Sequence, residues 1–328
     1  MKCTNRKRLF CLGIVMLLLA TFCGCGGSAY AFPYDAEYQV SSFQIVNTVN
    51  ASQAIPFAAN LCIVEGDLTD DEKVDMSNAE AALLCDLSNE DVLYAKNAYE
   101  KLHPASLTKV MTAIVAIKYG SMDQVLTATN SVIITEPGAQ LCGLKPGDSM
   151  TLSQALNILL MYSANDAAML IAEGVGGDVD SFVDLMNEEA QAIGATNTHF
   201  ANPHGLTQDN HYTTAYDLYL IFNEAIKYEN FREIIQMTTY STTYTDANGQ
   251  SKELSFHTLN QYLNGNQTQP ENITVLGGKT GTTNAAGSCL ILLTKDTGGN
   301  LYISVILRAT SRDVLYTQMT DLLNEIGN

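Results

Sequence analysis

The sequence predicts a protein of the α/β (α+β) class, and three observations along the chain predict it. Short apolar runs of strand length lie before residue 100, capped helical patterns fill the middle, and the C-terminal third holds two β-rich runs joined by a glycine turn. Hydrophobic residues make up 46% of the 328 residues and charged residues only 16%, which excludes a generally disordered chain.

Residues 1–31 have the pattern of a secretory signal peptide. Four cations precede an apolar run over residues 9–22, and Ala29-Tyr30-Ala31 fits cleavage before Phe32. The apolar run is short for a bilayer span, but an uncleaved anchor and lipid attachment at Cys23 or Cys25 stay open as alternatives. We therefore expect an extracytoplasmic protein that is secreted or associated with the cell wall.

The rest of the chain is predicted to form a polar tether over residues 32–57 and one domain over residues 58–328. Removing the signal peptide takes away four cations and no acid, which changes the net charge from −18 to −22. Such an acidic protein is not expected to bind nucleic acid or to reach an anionic surface through a basic patch.

Four cysteines remain in the predicted domain, at positions 62, 85, 142 and 289. In an oxidising compartment Cys62 and Cys85 could form a disulfide if their strands are adjacent, or all four could stay as buried thiols. No cysteine spacing resembles a zinc site, and we expect neither a metal nor a cofactor.

The elements are predicted in chain order as follows. Strands are expected over residues 60–64, 81–87 and 91–97, and Pro104 opens a helix that runs through Ile117. Thr151 and Gln154 form a capping box before a second helix that ends near Tyr162. Two more helices follow, over residues 165–175 and 179–193, and Gly194 stops the last of them.

The C-terminal third is predicted to be a β-hairpin followed by a helix. The runs 288–296 and 301–309 flank the turn sequence Thr-Gly-Gly-Asn. In the last segment Leu315, Met319, Leu322 and Ile326 share one helical face, so this helix should pack on the sheet. It lacks the basic face of a membrane-binding helix.

The stretch HPASLTKVMTA, residues 103–113, carries the first candidate for chemistry. Ser106 and Lys109 are three positions apart and so project from the same helix face. A lysine buried in this apolar turn would lose its proton more readily and could act as a base for the serine nucleophile. Alone the pair is weak evidence, because a capping serine and a surface lysine are common.

Two further segments strengthen the hypothesis. YSANDAA offers Ser163 and Asn165 in the break between two helices, where a hydroxyl can relay a proton and an amide can hold a substrate carbonyl. LGGKTGTT offers Lys279 and Thr280 on a strand whose glycines, including Gly281, leave room for an extended substrate backbone.

In this combination and order the segments resemble the serine-type D-alanyl-D-alanine carboxypeptidases, the low-molecular-mass penicillin-binding proteins of peptidase family S11. The resemblance covers about residues 58–328. It implies a β-lactamase/DD-peptidase-like fold, with a roughly five-stranded antiparallel sheet covered by helices and an all-helical subdomain. It also implies peptidoglycan stem peptides ending in D-Ala-D-Ala as substrates and β-lactam antibiotics as covalent inhibitors.

The resemblance further implies the roles of the site residues. Ser106 would be the nucleophile, Lys109 its base and Ser163 the proton donor to the leaving amine. Backbone N–H groups of Ser106 and Thr282 would form the oxyanion hole, and Asn165 would orient the peptide. Lys279 and Thr280, next to Gly281, would bind the terminal carboxylate. The residues implied to bind substrate are thus Asn165, Lys279, Thr280, Gly281 and Thr282.

The roles of three residues and two rival functions stay open. Arg308 or Arg312 could assist carboxylate binding, and His204 could support the site. A class A β-lactamase would carry a Glu-x-x-Leu-Asn loop, which is absent between Asn165 and Lys279. A non-catalytic receptor for β-lactams or cell wall would not need a nucleophile paired with a base.

The chain departs from many relatives in two respects. It is not expected to have a C-terminal β domain or an amphipathic membrane anchor. Its middle motif reads Ser-Ala-Asn rather than Ser-Gly-Asn, which keeps both polar groups.

Overall fold

The computed structural model describes residues 60–70 and 73–326. The predicted signal peptide and the predicted tether lie outside these residues. Within them, no helix is long and apolar enough to cross a membrane.

The main sheet has five antiparallel strands in the order β2-β1-β9-β8-β7, as the resemblance implied. Strands β1 (Ala81–Asp86) and β2 (Asp91–Lys96) come from the N-terminal part of the domain. Strands β7 (Ile273–Thr283), β8 (Gly287–Asp296) and β9 (Leu301–Ala309) come from the C-terminal part. Because β7 is an edge strand, its free side faces the helices and loops that complete the site.

Both faces of this sheet are buried. Adjacent residues such as Leu83 and Leu84 point into two separate hydrophobic clusters, since successive side chains of a strand alternate between faces. On one face lies α8 (Arg312–Asn324), which packs on β8 and β9 through Leu315, Met319 and Leu322. The predicted packing of the last helix is confirmed.

The opposite face is covered by the helical part of the domain. At its centre α1 (Lys109–Tyr119) packs against α2 (Leu152–Met161), α3 (Asn165–Gly176), α4 (Val179–Ile193) and α5 (Ala215–Ala225). The predicted capping box is formed, and Gly194 ends α4 in the left-handed conformation. Two shorter helices, α6 (Glu229–Gln236) and α7 (Gln261–Asn264), follow.

The structure adds a second sheet that the expected all-helical subdomain did not include. It has four antiparallel strands in the order β3-β4-β5-β6. Strands β3 (Val125–Thr127) and β4 (Ser149–Thr151) have three residues each, whereas β5 (Thr239–Thr245) and β6 (Ser251–His257) form a regular hairpin.

The strand predicted over residues 60–64 is wrong. Cys62 and Val64 are buried, but the segment joins no sheet. Two tyrosine hydroxyls take the place of a strand partner: Tyr219 accepts from the Cys62 N–H at 2.8 Å, and Tyr216 donates to the Cys62 carbonyl at 3.1 Å.

The cysteines are free thiols in the structure, at Cys62, Cys85, Cys142 and Cys289. Cys62 and Cys85 are both buried, and the Cys62 thiol donates to the Asp86 carbonyl at 3.3 Å. Of the two alternatives left by the sequence for Cys62 and Cys85, the structure contains buried thiols, and Cys142 is partly buried.

Candidate active site

Ser106 lies in a strained turn at the start of α1. The residues Ala105–Thr108 form a 3₁₀ turn, and Ala105 has a φ of 48°, in the left-handed region that non-glycine residues rarely adopt. Thr108 donates from its hydroxyl to the Ala105 carbonyl at 2.8 Å and so holds the turn. A Cβ on Gly205 would overlap the same carbonyl, so only glycine fits there.

Lys109, the first residue of α1, is completely buried below Ser106. Its Nζ makes three contacts, to Ser106 Oγ at 2.9 Å, Asn165 Oδ1 at 2.6 Å and the His204 carbonyl oxygen at 2.6 Å. A neutral amine has two N–H groups and one lone pair. Since the amide and carbonyl oxygens can only accept, the two N–H groups donate to them and the lone pair faces the Ser106 hydroxyl.

The surroundings of Lys109 favour that neutral form. Burial lowers the pKa of Lys109 well below its ordinary value, and the positive charge of Lys279 lowers it further, against an opposing effect of the Asp166 carboxylate. Lys109 is therefore more readily neutral than an exposed lysine, and the neutral amine can accept a proton from Ser106.

Ser163 and Asn165 occupy the break between α2 and α3, as the sequence predicted. Ser163 has a φ of 64°, and both side chains are 4% exposed. The neighbouring Asp166 is also buried, and its carboxylate accepts from the backbone N–H groups of residues 142–144. The Asn165 N–H donates to the Gln140 carbonyl at 2.8 Å. Together these bonds fix the loop before α2 against the helix that carries Asn165.

Lys279 is the buried cation of β7. Its Nζ donates to Ser163 Oγ and to the Thr280 carbonyl, both at 2.8 Å. Burial lowers the pKa of Lys279 to about 7. On the same strand Gly281 lies against the nucleophile turn, because a Cβ at this position would be 2.9 Å from the Ser106 backbone nitrogen. Strand β7 and the turn are therefore close enough for two N–H groups to point at one oxygen.

The structure brings all the predicted site residues together at one cleft of about 290 Å³. Its walls include Ser106, Ser163, Asn165, Thr280, Gly281 and Thr282, and Lys109 and Lys279 are hydrogen-bonded directly behind them. The sequence analysis had missed other lining residues, namely residues 138–140, residues 205 and 206, Thr283 and Leu259. Thr283 directly follows the predicted Thr282, whereas residues 138–140 and Leu259 are distant from the motifs along the chain and are brought near by the fold.

Arg308 and Arg312 line different clefts. Arg312, the first residue of α8, lines this cleft, whereas Arg308 lines a different one. Of the two arginines left open by the sequence, Arg312 is the one that lines the cleft of the predicted site residues.

The histidines have mostly supporting positions. His204 contributes its carbonyl oxygen to Lys109, and burial lowers the pKa of its ring to about 3. His211 is buried behind the nucleophile turn with a pKa of about 3, also through burial. His103 is half-buried and bonds the His211 carbonyl, and His257 is exposed on β6.

The fold and the site together define the class, which is the serine β-lactamase and DD-peptidase fold. The Streptomyces K15 DD-transpeptidase superposes with a TM-score of 0.69 at 26% identity, covering 76% of this chain and 96% of that one. A D-alanyl-D-alanine carboxypeptidase of Mycobacterium tuberculosis superposes with a TM-score of 0.67 at 27% identity, covering 80% and 94%.

Residues 69–311 match the model of peptidase family S11, described as D-alanyl-D-alanine carboxypeptidase, and the chain belongs to this family. It is 33% identical over 251 residues to the D-alanyl-D-alanine carboxypeptidase DacF of Bacillus subtilis, which is 75% of this chain and 61% of that protein. It is 32% identical to DacC of Escherichia coli, over 75% of this chain and 60% of that protein. The match thus spans about 60% of these relatives' length.

Proposed function

We propose that the protein is a serine D-alanyl-D-alanine carboxypeptidase that removes the terminal D-alanine from peptidoglycan stem peptides. The observation that carries this proposal is the environment of Lys109, whose buried Nζ lies 2.9 Å from Ser106 Oγ and donates to Asn165 Oδ1 and to the His204 carbonyl. Family membership supplies the substrate class.

In the acylation step, Ser106 Oγ attacks the carbonyl between the two terminal D-alanines, and its proton moves to Lys109. The carbonyl oxygen becomes an oxyanion, which accepts hydrogen bonds from the backbone N–H groups of Ser106 and Thr282. Asn165 is bonded to Lys109 through its oxygen, so its NH₂ group is left to orient the peptide.

The leaving D-alanine needs a proton on its amine and a partner for its carboxylate. Ser163 donates the proton and recovers one through its contact with Lys279. The carboxylate binds at Thr280, near the cations Lys279 and Arg312, both of which favour an anion there. This assignment places the C-terminal end of the substrate at Thr280 and its scissile carbonyl at Thr282.

Water then attacks the acyl-enzyme on Ser106, and the shortened peptide leaves. β-Lactams carry a comparable carboxylate and acyl carbonyl, so they acylate the same hydroxyl and are expected to be released slowly. No cofactor or metal takes part in these steps.

The protein is proposed to work outside the cytoplasm, after cleavage of the signal peptide near Ala31. The pattern of residues 1–31 supports this location, and so does a substrate class found in the cell wall.

The acyl-enzyme is tested by covalent labelling. Wild-type protein incubated with a fluorescent penicillin should gain one adduct, which peptide mapping by mass spectrometry places on Ser106. Ser106→Ala should gain none while its melting temperature changes little, because the substitution removes one hydrogen bond, the one between Lys109 Nζ and Ser106 Oγ. Exchange of Ser88, a loop serine outside the cleft, serves as the matched control. An adduct on another residue would contradict the nucleophile assignment.

A further inference from the structure

A second cleft, of about 410 Å³, opens beside the one described above, and its walls carry two cations in a chain of net charge −18. Lys101 and Arg308 are these cations, and His103 and Tyr212 lie between them in the lining. Asp209 is the one carboxylate among its lining residues. None of these side chains has a part in the proposed reaction.

The two clefts are lined by neighbouring residues of the same loop and the same strand end. Thr207 donates from its hydroxyl to Thr283 Oγ1 at 3.1 Å. On one side of this bridge Leu206 and Thr283 line the first cleft, and on the other side Asp209 and Ala285 line the second. Both clefts are thus bounded by the same loop and by the same end of β7.

The orientation of the proposed substrate directs its upstream residues toward this second cleft. If the terminal carboxylate lies at Thr280 and the scissile carbonyl at Thr282, the peptide continues past Thr283 to the β7–β8 turn. Ala285 lies in that turn, three residues along the chain from Thr282, and it lines the second cleft. A side group on the second or third residue before the scissile bond would therefore reach the cleft.

Arg308 lines this cleft from a strained backbone conformation. It has a φ of 54°, and it is the exposed residue in a strand whose neighbours Leu307 and Ala309 are buried. The β8–β9 register shifts between Ser288 and Leu290, which is a bulge beside Arg308. Bulges redirect side chains and are frequent next to active sites, and a non-glycine residue in the left-handed region is strained.

The cations of the second cleft are not neutralised within the described residues. Arg308 Nη1 approaches Glu80 only to 4.0 Å, with both side chains about half exposed, so this ion pair is weak. Lys101 Nζ lies 4.6 Å from the centroid of the Tyr212 ring, and no carboxylate of the described residues is within 4.0 Å of it. Both cations remain available to a carboxylate ligand.

We propose that the cleft lined by Lys101, His103 and Arg308 is a subsite for a carboxylate on the substrate, two or three residues before the scissile bond. This inference rests on the proposed function, because the direction of the substrate comes from it. The His103 Nδ1–H donates to the His211 carbonyl, so Lys101 and Arg308 are the charged side chains of the lining that can donate to the carboxylate. The subsite makes the enzyme selective for acidic stem peptides over their amidated forms.

The test uses two synthetic peptides that end in Lys-D-Ala-D-Ala and differ at one group. The residue before lysine is a γ-linked D-glutamate, with a free α-carboxylate in one peptide and a carboxamide in the other. For the wild type we expect kcat/KM about fivefold higher for the carboxylate peptide, with most of the difference in KM, because the contact is made equally in ground and transition states.

Arg308→Gln and Lys101→Gln should each bring this ratio close to one and leave hydrolysis of the carboxamide peptide unchanged. Lys252→Gln, on β6 and outside both clefts, is the matched control and should keep the wild-type ratio. An equal rate on both peptides, or a preference that survives in both cleft variants, would contradict the subsite alone. Failure to hydrolyse either peptide would contradict the proposed function and the subsite with it.

Discussion

The sequence around Lys109 predicts only some of the hydrogen-bond partners of its amine. The Ser-x-x-Lys spacing predicts that the two side chains share a helix face, and in the structure their polar atoms are 2.9 Å apart. The oxygens that fix the orientation of the amine come from Asn165 and from the His204 carbonyl. The first was expected near the site, but a backbone carbonyl 95 residues away carries no signal in a single sequence.

Asp166 and Arg312 illustrate the same limit at the level of single residues. A carboxylate after the Ser-x-Asn motif was visible, but its bonds to three backbone N–H groups depend on a loop that closes over it. The choice between two arginines four residues apart depended on the bulge in β9, which turns Arg308 to another cleft.

The buried ammonium of Lys279 makes stability depend on pH. The folded protein releases this proton at a pKa of about 7, whereas the unfolded chain keeps it up to about 10.4. Between these pH values the unfolded state binds more protons, so the contribution of Lys279 to the free energy of unfolding increases with pH and is lost as the pH falls through 7. The full contribution is on the order of 4 kcal/mol.

Denaturant unfolding of the wild type and Lys279→Met at pH 6.5, 8.0 and 9.5 measures this effect. The wild type should gain stability relative to the variant at each step upward in pH. Lys252→Met, which removes an exposed ammonium, is the control and should track the wild type. If the difference in the free energy of unfolding between the wild type and Lys279→Met is the same at all three pH values, burial does not shift the pKa of Lys279.

At the scale of elements, the nucleophile turn and its supports act as one unit. The Ala201 N–H donates to Nδ1 of His211 at 3.0 Å, so the remaining proton of the neutral ring is on Nε2 and points to Thr108 Oγ1 at 2.7 Å. The Thr108 hydroxyl in turn donates to the Ala105 carbonyl. This chain of bonds holds a left-handed alanine immediately before Ser106.

Thr108→Val should break this chain with little change in side-chain shape. The His211 N–H and the Ala105 carbonyl would lose their partner, which should cost about 2 kcal/mol of stability. Because the turn could then relax, acylation of Ser106 by penicillin should slow about tenfold. Stopped-flow acylation and thermal unfolding measure the two effects.

Thr108→Ser keeps the hydroxyl and provides the control for the threonine exchange. Its acylation rate should return to nearly the wild-type value, even if the lost methyl group lowers the melting temperature. Wild-type acylation by Thr108→Val would mean that the turn holds its shape without the hydroxyl.

The elements differed in how well the sequence predicted them. The capping box of α2, the Gly194 stop of α4 and the β8–β9 hairpin follow from local chemistry, and all three are present. The β5–β6 hairpin was missed, although its alternating Thr and Tyr residues and the turn residues Asp246–Gly249 are typical of one. Strands β3 and β4 are too short for a periodic signal, since their stability comes from pairing with distant segments.

At the scale of the whole molecule, strand order was beyond what composition and periodicity can predict. The central strand β9 pairs with β1, more than 200 residues earlier in the chain, and local patterns do not encode such a contact. The five-stranded sheet was predicted through the family resemblance, and it is confirmed. The resemblance succeeded because the three motif-bearing segments occur together in the expected order.

The arrangement of the whole domain explains why one cleft can hold all the motifs. Strand β7 belongs to the main sheet, whereas Ser106 and Ser163 begin or flank helices of the other layer. The cleft lies where the free edge of β7 meets these helices. A rigid sheet edge beside helix starts brings N–H donors, a nucleophile and buried lysines within reach of one peptide.

The most direct measurement is the release of free D-alanine from an acyl-Lys-D-Ala-D-Ala peptide by purified residues 32–328, beside the Ser106→Ala variant. We expect the wild-type protein to release D-alanine catalytically and the variant to release none above background. Penicillin binding at Ser106 without D-alanine release would contradict the proposed carboxypeptidase activity and indicate a receptor. Equal release by both proteins would contradict the assignment of Ser106 as the nucleophile.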